Sequence, residues 1–324
     1  MLPLNWPTLL FMKLGTGTVV DVGYVGSLGR HLYWRRNLNA IPFGANFLPQ
    51  NADPAAANTP LPQAFLRPYL GYTNINFAEA AGNSSYHSLQ VTANRRFARG
   101  VEFGLSWTWS KAMDYNDTDD GGVSSLVSAR VWNYGLAAFD RTHVVKLNWL
   151  YDAPKFRVPA AVGLVTNGWQ LSGILTMSSG SPLGVGYSTV NAVDITGSPT
   201  DGARVVVTGN PVLAKSERTF SRFFHTGVFA LPARGTIGNS ARTVIRGPGI
   251  NNFDLAVFKN FGIREPVRVQ LRAEAYNAFN HTQFAGLDNA ARFDAQGRQV
   301  NARFGELTSA RSARIMQLAV RFYF

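Results

Sequence analysis

The chain has 324 residues, 46% of them hydrophobic and 15% charged, with no cysteine, a mean hydropathy of −0.05 and a formal net charge of +12. This composition excludes a disordered tail, a disulfide-stapled secreted module and any cysteine-ligated metal or thiol chemistry. The positive charge raises nucleic acid as a partner, but Lys and Arg are scattered along the chain without a stripe or an accompanying motif, so no nucleic-acid partner is expected.

No run of 18 or more apolar residues offers a transmembrane helix, and residues 1–15 lack the basic start and small-residue cleavage site of a signal peptide. Residues 1–15 are expected to be irregular, and 16–324 to form one β domain. From Thr18 onward the hydropathy alternates. A first strand is expected over Thr18–Val25, and a second over Ser88–Phe97, with Leu89, Val91 and Ala93 set against Gln90, Thr92 and Asn94. Val101–Ser110 is the clearest: Val101, Phe103, Leu105, Trp107 and Trp109 share one face, and Glu102, Gly104, Ser106, Thr108 and Ser110 the other. His143–Tyr151 and Trp169–Met177 repeat the pattern, as do Asn251–Phe261 and Val267–Ala275. In the last of these a one-residue slip would turn Arg268, Arg272 and Glu274 into the apolar environment, at about 2–4 kcal/mol for each Arg at a bilayer midplane. The final strand, Arg314–Phe324, carries Met316, Leu318, Val320, Phe322 and Phe324 at alternate positions back from an aromatic terminus. That pattern matches the signal by which outer-membrane proteins are recognised by the barrel-assembly machinery.

Strands of about ten residues at roughly 3.3 Å each, tilted by about 45°, span the apolar band of an outer-membrane barrel. The connections agree. Ala98–Gly100 and Gly262–Pro266 are tight, whereas Ser27–Tyr86, Lys111–Thr142, Ser178–Ile250 and Phe279–Ser312 are long and rich in Gly, Pro, Asn and Ser. Short periplasmic turns alternating with long extracellular loops give this rhythm, provided Asp152–Gly168 counts as a longer periplasmic turn. A further hairpin is expected inside Ser178–Ile250, around Arg204–Thr208. Trp107, Trp109, Trp149, Tyr151, Trp169 and Tyr323 fall at strand ends, where interfacial girdles sit.

Polar positions of these strands, Glu102, Lys146, Asp254, Arg268, Arg272 and Glu274, are candidates for lining a lumen or facing a plug. A hydrated ladder that keeps the interior polar is preferred for them over substrate contact. Asp114, Asp117, Asp119 and Asp120 form the one acidic cluster, but their spacing fits no complete EF-hand and a solvated loop is preferred to a metal site. His87, His143 and His281 have no second ligand at i+3 or i+4 and read as interfacial or loop residues. Ser27 misses the spacing of a nucleophile elbow and Gly247 and Gly249 lack a third glycine, so neither an enzyme nor a cofactor is expected.

Several segments resemble the C-terminal barrel of Oar-like TonB-dependent receptors, in order along roughly Thr16 to Phe324. They are Gly23-Tyr-Val-Gly-Ser-Leu-Gly-Arg-His-Leu32, Ser85-Tyr-His-Ser-Leu-Gln-Val91 with Phe103-Gly-Leu-Ser-Trp-Thr-Trp-Ser-Lys111, Phe139-Asp-Arg-Thr-His143 and Asn167-Gly-Trp-Gln-Leu-Ser-Gly173. The series continues with Gly238-Asn-Ser-Ala-Arg242, Arg246-Gly-Pro-Gly249, Asn252-Phe-Asp-Leu255, Lys259-Asn-Phe261 and Arg272-Ala-Glu-Ala-Tyr-Asn-Ala-Phe-Asn-His-Thr282. The resemblance implies an all-β, antiparallel transmembrane barrel of 22 strands in the outer membrane of a Gram-negative bacterium. It also implies a plug domain and the TonB complex as partners of the whole receptor, with membrane lipid and lipopolysaccharide around it. With fewer than half of those strands and no segment resembling a plug or a TonB-contacting motif, the chain is expected to be a C-terminal portion that does not transport alone. An autonomous small barrel with a structural or adhesive role, and a soluble carbohydrate-binding module, are the alternatives.

Overall fold

The computed structural model describes residues 4–14, 17–264 and 266–324. Nine long strands run up and down in sequence order: β1 Leu4–Leu14, β2 Thr18–Asn37, β3 Asn76–Ala98, β4 Val101–Asp114, β5 His143–Asp152, β6 Trp169–Ser178, β7 Ile250–Arg264, β8 Val267–Tyr276 and β9 Ile315–Tyr323. Each pairs antiparallel with the next. Among the described residues β1 and β9 do not pair with each other, so the sheet is open. Every strand expected from the alternation is present. The start of the chain departs from expectation: Leu4–Leu14, read as irregular, is strand β1, because its backbone finds a complete ladder along Thr18–Leu28.

β2 and β3 are much longer than the alternation suggests, at 20 and 23 residues. At roughly 3.3 Å per residue they reach about 65–75 Å, well past an apolar band about 25 Å tall. Beyond that band neither face meets lipid, so the pairing Tyr33↔Ala80 to Asn37↔Asn76 proceeds without apolar alternation. Trp34 Nε1 and Arg36 Nη2 instead donate to the two oxygens of Glu79, at 2.9 and 2.7 Å. At the opposite end the β3–β4 turn is two residues, Arg99 (φ 53°) and Gly100 (φ 79°). Two consecutive positive φ values match the twist of a tight hairpin. Gly100 also lies so close to β5 that a Cβ there would stand 2.6 Å from the carbonyl oxygen of Asp152.

The buried core lies in the long connections. Val185, Val205, Phe224, Val228, Phe229, Ile245, Ala291, Phe293 and Phe304 form one cluster drawn from 179–249 and 277–314. Phe224 meets Phe229 and Phe304 edge to face at 5.7 and 5.2 Å. Short strand pairs frame this core: Pro182–Leu183 with Ile245–Arg246, Val206–Val207 with Phe229–Ala230, Gly186–Thr189 with Ala290–Phe293, and Phe284–Leu287 with Leu307–Ala310. The hairpin expected around Arg204–Thr208 is therefore the two-residue strand Val206–Val207 inside a folded cap, and 179–249 holds no strand of membrane-spanning length. A smaller cluster, Ile41, Ala45 and Leu66, orders 38–75. Ile41 bridges to the third connection through Thr200 Oγ1 and Ser198 Oγ.

Truncating Phe224 should open the cap and spare the sheet. Phe224→Ala is expected to cost about 3–5 kcal/mol, the usual price of a buried Phe. Limited proteolysis should then cut within 179–249 and 277–314 while the β1–β9 fragments stay protected; simultaneous cleavage throughout β1–β9 would contradict a separately cored cap.

Candidate functional site

The register sorts the strands into two faces. One lateral row runs Val22, Val91, Trp107, Val145, Met177, and the next Val20, Ala93, Leu105, Leu147, Leu175, Phe253. Toward the short turns a further row runs Leu171, Val257, Ala273, Leu318. On this face large apolar side chains stand open to the surroundings, including Leu10, Trp109, Met177, Val257 and Leu271. Met316, Leu318, Val320, Phe322 and Phe324 of the final strand join them, with Leu318 79% and Phe324 96% exposed. A face so apolar and so exposed suits contact with hydrocarbon.

Glu102, Lys146, Asp254, Arg268, Arg272 and Glu274 all lie on the opposite, polar face. Glu102 and Glu274 belong to one lateral row through Leu150, Ser172 and Ala256. The structure brings some of them together. Arg272 Nη1 stands 3.9 Å from Glu274 Oε1 and its guanidinium lies 4.6 Å from the Phe258 ring centre. Arg268 covers Tyr323 at 4.1 Å. Asp254 accepts from Asn252 Nδ2 at 2.9 Å and from the Asn277 backbone N–H at 2.8 Å, tying β7 to the start of the last long connection. Glu102 and Lys146 are exposed and form no ion pair among the described residues. Further polar bonds line this face, such as Thr92 Oγ1 to Asp21 at 3.0 Å and Gln270 to Asn260 at 2.9 Å.

The acidic cluster is divided: Asp117 and Asp119 are exposed, as in a solvated loop, whereas Asp114 is buried. Arg242, which the sequence offers only as part of a motif, donates from Nη1 to Asp114 Oδ1 at 2.5 Å and from Nη2 to Asp117. Asp120 pairs with Arg35, and Asp119 is exposed. Among the described residues no three His, Asp or Glu side chains are grouped to hold a metal. Asp114 is buried at the loop end of β4. Burial pushes its carboxyl above the ordinary aspartate value, Asp117 adds to that, and Arg242 opposes it. Two more carboxylates do similar work. Asp140, whose side chain is wholly buried, accepts from Arg246 Nη2 at 2.6 Å and from the Ala112 backbone N–H at 2.7 Å. One oxygen of Asp201 takes Ser124 Oγ and the backbone N–H groups of Ser125 and Leu126 at 2.7–3.1 Å. The connections 115–142 and 179–249 are thereby joined, and Ile41 joins 38–75 to 179–249.

Between these connections and the β2 extension lies a polar pocket of about 450 Å³, whose lining includes Arg35, Arg36, Arg67, Asn74, Ser125 and Thr200. Arg67 Nη1 donates to Asn39 O and Asn74 Oδ1, both at 2.9 Å, so the pocket wall is held by its own hydrogen bonds. No sequence motif marks this pocket, because its residues come from separate connections. The histidines sit where an interface is expected: His87 Nδ1 is 2.6 Å from the Tyr24 hydroxyl, and Trp107 Nε1 donates to His143 Nδ1 at 3.3 Å, both on the apolar face near the long connections. His281 lies in the last long connection, with its Nδ1 3.0 Å from Gln283 Nε2.

The chain matches the outer membrane beta barrel domain family over residues 9–317. It belongs to that family, and its place is the outer membrane. The short-turn end is accordingly periplasmic, and the cap extracellular. Membership removes the soluble carbohydrate-binding module. No curated protein sequence gives a significant match. Among solved structures, the outer membrane transporter YddB from Escherichia coli is similar at 9% identity and a TM-score of 0.43, over 98% of this chain and 32% of its own. The chain spans about a third of the length of that transporter.

Arg242 should be the single residue whose loss most loosens the cap from β4. Arg242→Ala leaves Asp114 buried without its cation, at a cost on the order of 3 kcal/mol. Because the folded carboxyl already sits above its unfolded value, the variant's cap should be most stable below the ordinary aspartate range and weaken as pH rises through the raised value. Hydrogen exchange of 115–142 at acid and neutral pH would check this. Equal protection in variant and parent at both pH values would contradict it.

Proposed function

We propose that the chain is the C-terminal barrel portion of an Oar-like TonB-dependent outer-membrane receptor, in which ligand enters through the extracellular cap. The observation carrying this reading is the open sheet of nine strands. In an up-and-down meander of nine, β1 and β9 both run toward the periplasm, so pairing them would require a parallel seam. Bacterial single-chain barrels close on even numbers of antiparallel strands. An open edge in hydrocarbon leaves backbone N–H and C=O groups unpaired, at several kcal/mol each. An odd number of further strands completes the wall, in keeping with a larger barrel and against a self-contained small one.

In that receptor the polar face, with Glu102, Lys146, Asp254, Arg268, Arg272 and Glu274, meets the water of the lumen or a plug domain. The plug takes its energy from the TonB complex. The cap pocket lined by Arg35, Arg36 and Arg67 is where a polar solute first makes contact, since outward loops meet solutes before the lumen does. Lys111 and His87, at the extracellular end of the apolar face, are suited to the phosphates of lipopolysaccharide. Met316, Leu318, Val320, Phe322 and Phe324 present the alternating aromatic-ended strand to the assembly machinery.

Two measurements test the reading. Expressed alone and extracted in detergent, the chain should show no heat-modifiable band on a gel; a compact species that unfolds only on heating would mean it closes by itself and would overturn the reading. Within the complete receptor, Phe324→Ala should lower the amount recovered from outer membranes several-fold without altering synthesis. Unchanged recovery would remove the terminal strand from assembly.

A further inference from the structure

One periplasmic turn is unlike the others. The connections after β1, β3 and β7 are two or three residues, whereas β5 and β6 are joined by 153–168. This segment reads Ala153-Pro-Lys-Phe-Arg-Val-Pro-Ala-Ala-Val-Gly-Leu-Val-Thr-Asn-Gly168 and holds two cations and no acid. Its only regular element is the helix Ala160–Thr166. Phe156, Val158, Val162, Leu164 and Val165 are all exposed, Val165 to 68%. Five large apolar side chains turned outward on so short a segment are costly in water.

The helix is held against the apolar, outward face of the sheet. Lys259 lies on that face, opposite Trp169 on one side and Leu271 on the other. A lysine there would be expensive in hydrocarbon. Its Nζ instead donates to the carbonyl oxygens of Val165, at 3.0 Å, and Asn167 at the helix C-terminus, where unpaired carbonyls and the negative end of the helix dipole favour a cation. Its ammonium also lies 4.9 Å from the Trp169 ring centre and 5.3 Å from that of Phe261. Trp169 Nε1 donates to the same Val165 carbonyl at 2.7 Å. Asn167 closes the base of the turn by accepting from the Phe156 N–H at 2.7 Å and donating to the Phe156 carbonyl at 3.0 Å. Between the helix and the wall runs a groove of about 500 Å³ lined by Leu164, Val165, Trp169, Val257, Leu271 and Leu318. It continues directly into the lipid-facing row Leu171, Val257, Ala273, Leu318.

We propose that this turn is a lipid-binding site for an anionic phospholipid of the periplasmic leaflet. The helix lies in the head-group boundary, an acyl chain fills the groove against Val257 and Leu318, and Lys155 and Arg157 meet the phosphate. An apolar helix flanked by basic residues has the chemistry of an interfacial anchor, and the groove's continuity with the lipid-facing wall selects a lipid over a soluble partner. Lys259 is a positioning residue here: held by two carbonyls at the helix end, it seats the helix and leaves the phosphate to Lys155 and Arg157.

The test is direct because these 324 residues hold no cysteine of their own to compete for a label. Nitroxide labels are placed one at a time on Leu164→Cys, on Leu318→Cys in the lipid-facing wall and on Val212→Cys in the cap, in the complete receptor freed of any other cysteine and reconstituted into phosphatidylcholine bilayers with or without phosphatidylglycerol. Collisions with oxygen and with a water-soluble nickel chelate are then compared. The label at 164 should match that at 318, favouring oxygen several-fold over the chelate, and should lie deeper when phosphatidylglycerol is present. Lys155→Gln with Arg157→Gln should abolish that lipid dependence and leave position 318 unchanged. A label at 164 as open to the chelate as that at 212 overturns the proposal, as does indifference to phosphatidylglycerol. Spin–spin broadening at 164 that fades on lipid dilution assigns the groove to a second copy of the chain and overturns it too. Loss of protection at both 164 and 318 rejects the lipid-facing reading of the whole wall, which separates that failure from the failure of this site alone.

Discussion

Backbone pairing in a solvent that offers no hydrogen bonds governs the rest of this structure. Within hydrocarbon each N–H and C=O must find its partner in the protein, and a sheet does so only along unbroken ladders. The register follows from the second requirement, that the side chains of each strand divide cleanly between lipid and water. Arg268, Gln270, Arg272 and Glu274 cannot trade places with Val269, Leu271 and Ala273, so the pairing of β8 with both β7 and β9 is set to the residue. Turns such as Arg99–Gly100 then have to join strands whose offset is already decided.

Outside the bilayer the constraint lifts, and the protein changes its means of cohesion. β2 and β3 continue as a ladder with no apolar face, while the connections 179–249 and 277–314 keep only ladders of two to four residues around a small apolar core of Phe224, Phe229, Phe293 and Phe304. Salt bridges between the connections are placed where burial makes them count: Arg246 on a fully buried Asp140, Arg242 on Asp114 and Asp117. A cap organised this way resists opening as a unit, because its ion pairs tie 179–249 both to the end of β4 and to 115–142, with which it also shares the Asp201 hydrogen bonds.

The sheet was legible in the sequence because its two-residue period is imposed by lipid and water on opposite faces. Where lipid ends, that signal ends, which is why the upper halves of β2 and β3 read as loop. β1 was missed for a related reason: its regularity lies in the partner strand Thr18–Leu28, which Leu4–Leu14 follows residue by residue. The polar-face residues were recoverable from alternation alone. The cap contacts were not, since Arg242 lies 128 residues from Asp114 and Arg246 lies 106 from Asp140. Yet the motifs that carry the family resemblance contain these very residues, Asp140 in Phe139-Asp-Arg-Thr-His143, Arg242 in Gly238-Asn-Ser-Ala-Arg242 and Arg246 in Arg246-Gly-Pro-Gly249. An ion pair of two isolated short motifs was the available signal.

Cations on the lipid-facing wall follow one rule at its periplasmic end. Arg95, beside Phe103, turns down to the Ala98 carbonyl at the end of β3 at 3.1 Å, and Lys259 reaches the carbonyls that end the Ala160–Thr166 helix. Both keep their long aliphatic stems in the apolar layer and deliver the charge to backbone oxygens at the membrane edge. The periplasmic rim is therefore pinned from the protein side by its own turns. At the extracellular rim Lys111 and His87, paired across β3 and β4, are joined by the stacked rings of Tyr24, Trp107, Trp109 and His143. The two rims differ in kind: at one the wall's own Arg95 and Lys259 turn to backbone carbonyls, and at the other an aromatic and basic belt faces outward. That asymmetry sets the depth of the wall in the bilayer without any charge in its middle rows, where Ala93, Leu105, Leu147 and Leu175 meet the hydrocarbon.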